Sequence, residues 1–121
     1  MYKVSNLKQE YKKKLITAEQ AAAMVKPGDR LHFGLGCGSI VDIDRAIAKR
    51  AGELKDITVL STVTIREKPF ETYLATESND QVRFASAHFS GNDRAMSKAG
   101  RCWYCLLYTS IQEPDITKER E

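Results

Sequence analysis

No window of the sequence approaches the ~18 consecutive apolar residues that a membrane-crossing helix needs, and the opening "MYKVSNLKQEYKKKL" carries no apolar core of the kind a secretory signal requires. Both absences lead to the expectation of a cytoplasmic protein with no membrane partner. Cysteine is scarce and odd in number, three residues in 121, which does not fit a disulfide framework, so the cysteines are read as thiols. No cluster of Cys and His has metal-ligand spacing, and no metal is expected. A charge excess is missing too: the net charge is only +3, and the one lysine run, Lys12 to Lys14, has no interleaved aromatics. That run reads as a solvated helix face, and no nucleic-acid partner is expected.

What is present suffices for one domain. With 42% hydrophobic and 29% charged residues, the chain can bury a modest core and is not disordered by composition. Elements alternate along it. "TAEQAAAMV" opens with Thr17 three residues before Gln20, a capping box ahead of a helix that "KPGD" stops. "RLHFG" reads as a strand. From Ile40, residues Ile43, Ile47 and Ala51 recur every four positions as one apolar helical stripe ending at Gly52. "ITVLSTV", residues 57 to 63, is β-branched and continuously apolar, as a buried parallel strand is. A helix near Pro69 with Phe70, Tyr73 and Leu74 on one side, a strand over residues 81 to 89, a helix capped by Ser90 or Asn92 and stopped by Gly100, and a strand beginning "RCWY" complete the series.

Strands separated by helices make repeated βαβ units, which close right-handedly. The expected fold is α/β, doubly wound, a mainly parallel sheet with helices on both faces. Ligands in such sheets bind beyond the carboxyl ends of the strands, which nominates three loops: Gly34 to Ser39, Ser61 to Glu67, and His88 to Asn92. All three carry small or hydroxylated residues that let backbone amides approach a ligand. The glycines at 34, 36 and 38 spell G-x-G-x-G, which is not the dinucleotide fingerprint G-x-G-x-x-G; there is no Walker lysine, and Asp56 precedes the second strand instead of ending it. From spacing alone the loop is as well explained by a tight turn as by a ligand cradle.

Other residues invite chemistry and have plainer readings. Cys37 sits near a helix amino terminus, where a thiolate would be stabilised, and equally reads as a small tolerated thiol. His88, Ser90 and Asp93 do not form a nucleophile elbow, and Ser90 and Asp93 are explained by capping. Glu67 could act as a base or nucleophile or cap the following helix. Cys102-Trp103-Tyr104-Cys105 matches C-x-x-C only superficially, since it would lie within a strand instead of opening a helix.

Taken together, "YKKKLITAEQAAAMVKPGDRLHFGLGCGSIVDIDRAIAKR", "LKDITVLSTVTIREKPFETYL" and "ASAHFSGNDRAMSKAGRCWY" resemble the amino-terminal domain of the acetyl-CoA hydrolase/transferase family, in order over residues 8 to 104. Members include 4-hydroxybutyrate and butyryl-CoA:acetate CoA-transferases. The resemblance implies a truncated front part of an enzyme that moves coenzyme A between a short-chain acyl-CoA and a carboxylate such as acetate, through a glutamyl-CoA thioester. The glutamate is implied to lie in an absent carboxyl-terminal domain, so no catalytic residue is expected in this chain. The coenzyme A thioester is a substrate, and no permanently bound cofactor is implied. The parent is expected to be a homo-oligomer. One wall of the active-site cleft is implied to come from the amino-terminal domain, with positional candidates Gly34, Gly36, Cys37, Gly38, Ser39, Ser61, Thr62, Thr64, Phe89, Ser90, Gly91 and Asn92. An acetyl-CoA hydrolase of the same family, or a stand-alone nucleotide-binding or scaffold module, are the alternatives.

The resemblance breaks after Tyr104. "CLLYTS", Cys105 to Ser110, is what a transposase end sequence used in sequencing libraries encodes, so residues 1–104 are expected to be the domain and 105–121 a non-native tail. That tail holds two of the 19 basic and four of the 16 acidic residues, leaving 17 against 12 and a mildly basic remainder that would suit coenzyme A phosphates. The isolated chain is expected to be inactive and to leave a sheet edge and an apolar face uncovered.

Overall fold

The computed structural model describes residues 6–104. In chain order these form α1 (Leu7–Lys14), α2 (Ala18–Ala23), β1 (Arg30–Gly36), α3 (Val41–Ala48), a 3-10 turn (Ala51–Glu53), β2 (Ile57–Thr64), α4 (Glu71–Ala75), β3 (Val82–Ser86), α5 (Gly91–Lys98) and β4 (Cys102–Tyr104). The strands make one sheet in the order β1-β2-β3-β4, every pair parallel. The expected parallel α/β architecture is therefore what forms.

Local chemistry sets the helix ends. Thr17 Oγ1 accepts from the Gln20 amide at 3.1 Å while Gln20 Oε1 accepts from the Thr17 amide at 2.9 Å, closing the capping box. Ser90 and Asp93 do the same for α5, so Ser90, not Asn92, is the cap. Each such cap stabilises by about 1 kcal/mol. The carboxyl ends of α2 and α4 are closed by arginines from later in the chain: Arg50 Nη1 donates to the carbonyls of Ala22 and Val25, and Arg101 Nη1 to those of Tyr73 and Thr76. The Arg101 guanidinium also lies over the Tyr73 ring, 4.7 Å from its centroid.

Strand alternation divides the sheet into two unlike faces. Phe33, Ile57, Val59, Val82, Phe84 and Cys102 point to one side and are buried, and Ala22, Ala46, Ile47, Phe70 and Met96 from the helical segments join them in one core cluster. Phe70 sits at its centre, edge-on to Phe33 at 5.2 Å and stacked on Phe84 at 6.0 Å. Helices α2, α3 and α5 and the start of α4 thus cover a single face. The opposite side carries His32, paired in register with Leu60, and Ala85, paired with Trp103, and none of these belongs to the core. Among the described residues, those that α2, α3 and α5 contribute to the core all lie against this one face.

Some boundaries differ from the sequence-based expectation. β3 stops at Ser86, because Ser86 Oγ donates to the His88 carbonyl and turns the chain out of the sheet before Phe89. Leu74 does not share the buried side of Phe70 and Tyr73: it is 57% exposed, since α4 is only five residues long. Ile40 precedes α3 and is exposed, and Ala51 lies past it in the 3-10 turn. The proposed tail, 105–121, lies outside the described residues.

Candidate active-site cleft

Because all four strands are parallel, their carboxyl ends share one rim, and the three nominated segments meet there. Gly36 pairs in register with Thr64, and a Cβ built on Gly36 would meet Ile65 Cδ1 at 3.6 Å. Ser61 pairs with Ser86, the last residue of β3 before the third loop. A cleft of about 620 Å³ lies between the end of β2 and the start of α5, lined by Val63 to Glu67 and by Ser90, Gly91 and Asn92.

Not every candidate reaches it. Thr64, Ser90, Gly91 and Asn92 line the cleft. Gly34 and Gly36 lie inside β1 and not in a loop, both with positive φ (73° and 56°), where they bend the strand out of regular register. A Cβ on Gly34 would also lie 3.0 Å from the Gly38 carbonyl oxygen, so the turn through Cys37 and Gly38 needs a bare backbone at position 34. Cys37 is exposed at the turn's apex. Ser39 keeps a buried hydroxyl without a hydrogen-bond partner among the described residues. Ser61 and Thr62 lie within β2; Ser61 Oγ reaches the Ala85 carbonyl at 3.5 Å, and Thr62 points to the uncovered face. Phe89 packs edge-on against Tyr104, 5.1 Å away, and so props the third loop instead of opening to the cleft.

Backbone strain marks the second loop. Val63 has φ 51°, a left-handed conformation that costs a β-branched residue about 1–3 kcal/mol. The kink breaks strand alternation, so that Thr64 is buried with a hydroxyl that has no partner among the described residues. A buried polar atom left alone and a strained neighbour in one cleft wall are the pattern of a position held for something other than stability.

The residue that sequence reasoning missed is Asp44. Wholly buried on α3, its carboxylate accepts from Arg66 Nη1 at 2.7 Å, the amides of Glu71 and Thr72 at 2.8 and 3.0 Å, and Thr72 Oγ1 at 2.7 Å. It caps α4 from another helix, the role offered to Glu67 by proximity in sequence; Phe70, the residue before α4, supplies no side-chain cap. Arg66, held this way, stacks over Phe70 at 5.0 Å, and its carbonyl accepts from Asn92 Nδ2 at 2.8 Å. One buried carboxylate thereby fixes the second loop, and the second loop fixes the start of α5. The only signal in the sequence was an acid on the buried side of an apolar helical stripe.

Electrostatics at the cleft do not follow the basic balance of the chain. Arg66 is neutralised by Asp44, and the positive end of α5 is neutralised by Asp93, whose Oδ2 accepts from the Ser90 amide at 2.8 Å. A basic wall suited to phosphates is therefore not what the cleft presents. Asp93 also accepts from Ser86 Oγ at 3.4 Å, so Ser90 and Asp93 are occupied with capping and not assembled with His88 for nucleophilic chemistry. Cys102 is buried against this group: burial first, and the Asp93 charge second, push its thiol up to about 12. Among the described residues no group of three His, Cys, Asp or Glu could hold a metal ion, and no helix is long and apolar enough to cross a membrane.

Among the described residues the chain is thus a parallel α/β sheet with a cleft at its strand tips and no assembled catalytic set. The chain belongs to the acetyl-CoA hydrolase/transferase family: residues 1–116 match its N-terminal domain. It is 37% identical over 90 residues to the "Probable butyrate:acetyl-CoA coenzyme A-transferase" of Syntrophomonas wolfei, covering 73% of this chain and 19% of that protein. It is 33% identical over 102 residues to the butyryl-CoA:acetate CoA-transferase of Anaerostipes caccae, covering 84% and 22%. Among solved structures, RipA from Yersinia pestis shares the fold with a TM-score of 0.67 at 21% identity, over 84% of this chain and 25% of that one. The chain spans about a fifth of the length of these curated relatives.

Proposed function

We propose that this chain is the front part of an acyl-CoA:carboxylate CoA-transferase and supplies one wall of its active-site cleft. The relatives named above supply the substrate class, a short-chain acyl-CoA such as butyryl-CoA and acetate as acceptor. In the proposed reaction a glutamate carboxylate elsewhere in the parent attacks the thioester carbonyl and displaces the CoA thiolate, giving a mixed anhydride. The thiolate then attacks the glutamyl carbonyl of that anhydride, releasing the first carboxylate and leaving a glutamyl-CoA thioester. Acetate reverses the two steps, so the thioester bond energy is kept throughout. No side chain of the cleft wall enters the bond changes. Its work is to position the acyl-CoA and keep water from the anhydride, which separates transfer from hydrolysis.

The observation that carries the reading is the meeting of Val63–Glu67 with Ser90, Gly91 and Asn92 around one cleft at the carboxyl rim of the sheet. Gly34, Gly36, Cys37, Gly38 and Ser39 extend the same rim past β1, and Thr64, whose hydroxyl has no partner among the described residues, is the donor we assign to substrate. Residues 105–121 stay proposed as a non-native tail, which resequencing of the locus tests. The function is tested by assaying exchange of CoA between butyryl-CoA and labelled acetate with the longer parent and with residues 1–121. The parent should exchange and the short chain should not. Acetate-independent thioester hydrolysis by the parent would favour the hydrolase, and exchange by the short chain would overturn the placement of the nucleophile.

A further inference from the structure

The cap of α5 is complete without Asn92: Ser90 and Asp93 close the capping box between them, and Asn92 stands at the second helical position. Its Nδ2 donates instead to the Arg66 carbonyl, 2.8 Å away and 26 positions earlier in the chain. A carbonyl only accepts, so the bond needs the N–H of the side-chain amide, which a carboxylate of the same shape lacks. Asn92 and Arg66 both line the cleft, from the two segments that bound it, so the bond ties α5 to the second loop.

That loop needs tying. At Val63 the backbone sits at φ 51°, a conformation that a β-branched residue keeps only where its surroundings over-determine it. Regular alternation from Ile57, Val59 and Ser61, all buried, would bury Val63 and turn Thr64 away. The kink reverses this: Val63 is half-buried, and Thr64 is 5% exposed with a hydroxyl that has no partner among the described residues. Arg66, just beyond the kink, is anchored twice, its guanidinium by Asp44 on α3 and its carbonyl by Asn92 on α5. Asp44 doubles as the cap of α4, so replacing it disturbs the fold as well. The bond from Asn92 bears on the loop alone.

We infer that Asn92 is a positioning residue: its bond to the Arg66 carbonyl holds the left-handed kink at Val63 and so keeps the Thr64 hydroxyl in the cleft wall for the substrate. The inference rests on the proposal that Thr64 donates to the acyl-CoA, and it names what puts that donor there. Asn92 acts through Thr64 and not by a contact of its own. Losing the bond frees Val63 to return to extended backbone, and strand alternation then turns Thr64 out of the wall.

Replacements at Asn92, Thr64 and Val63 in the full-length parent, alone and in pairs, test this. Asn92→Asp keeps the shape and loses the donor, and a carboxylate in the first turn of α5 does not weaken the helix, so the melting temperature should hold. Its kcat/KM for butyryl-CoA with acetate should fall about tenfold, as it does when a substrate contact is displaced. In a Thr64→Val background the same replacement should cost less than about twofold, since both changes remove one contact. In a Val63→Gly background, where the left-handed turn needs no holding, it should cost less than about threefold. Undiminished kcat/KM in Asn92→Asp overturns the inference. A loss that stays near tenfold in either background also overturns it, by making Asn92 act on the substrate directly. If Asn92→Asp melts lower, Asn92→Ala is judged in the same cycle by the same criteria. Cleavage after the exposed Glu67 by a glutamyl-specific protease reads the clamp without activity, and it should be at least about fivefold faster in Asn92→Asp. Equal cleavage rates overturn the inference and leave the proposed activity standing if the unaltered parent exchanges CoA. Faster cleavage in a parent that exchanges no CoA keeps the clamp and removes the activity.

Discussion

Asp44 gives the sharpest prediction from the described structure. Replacing it with alanine leaves the Arg66 guanidinium, whose side chain is 11% exposed, without its counter-charge, and strips two backbone amides at the start of α4 of their acceptor. Breaking a buried pair from one side costs about 3–5 kcal/mol, against a total stability of about 5–15 kcal/mol for a domain of ordinary size. Asp44→Ala should therefore bring the chain close to unfolding. Asp44→Asn is the measurable variant. It keeps one oxygen for Thr72 and loses the charge, for a cost of about 1.5–3 kcal/mol, the range of a hydrogen bond to a charged group. In urea, with a slope of about 1–3 kcal/mol per molar, that is a midpoint about 1 M lower. Combining it with Arg66→Met should recover part of the loss, a coupling of about 1–3 kcal/mol between contacting residues. A shift of less than about 0.2 M for Asp44→Asn, or strict additivity with Arg66→Met, would show that the carboxylate does not hold the second loop.

Cys102, Gly34 and Thr64 give the remaining outcomes. Cys102 should resist iodoacetamide at neutral pH while the exposed Cys37 reacts, as read by peptide mass spectrometry. Since burial raises the folded Cys102 pKa to about 12, its contribution to stability is complete below the thiol's ordinary pKa and is lost as pH climbs from there through about 12, so thermal unfolding should occur at progressively lower temperature over that alkaline window and less so in Cys102→Ala. Gly34→Ala, at φ 73° and with its Cβ 3.0 Å from the Gly38 carbonyl oxygen, should destabilise by about 1–3 kcal/mol in chemical denaturation; no change would mean the turn relaxes freely. Thr64→Val removes a buried hydroxyl that has no partner among the described residues, so it should raise stability by up to about 1 kcal/mol while lowering kcat/KM of the full-length parent; unchanged kinetics would remove Thr64 from the substrate contacts.

Much of the fold was legible because it is written locally. The Thr17 to Gln20 box, the apolar run of β2 and the Ser90 cap act within a few residues, where spacing and propensity report directly. β3 was read three residues too long because Ala87 to Phe89 continue the strand-like pattern, while the Ser86 hydroxyl bond that turns the chain has no local signature. Asp44 was invisible for a deeper reason: its partners stand 22 to 28 positions away and are defined only by packing of α3 against α4. Strand order, and with it the uncovered face, is likewise a property of the assembled sheet. The rim on which the candidate loops meet was legible, since parallel strands must deliver their carboxyl ends together. Which of those residues line the cleft, and how its charges cancel, was not.

The cleft's role can be tested at Gly91. It lines the cleft at the first position of α5, and a Cβ built there meets nothing within 4 Å, so a larger residue adds bulk to the cleft without a clash in the fold. Gly91→Leu in the full-length parent should leave the melting temperature unchanged or higher, because leucine favours the helix over glycine, and should lower kcat/KM for butyryl-CoA about tenfold or more. An enzyme with the same melting temperature and undiminished kcat/KM would contradict the assignment of this cleft to the acyl-CoA.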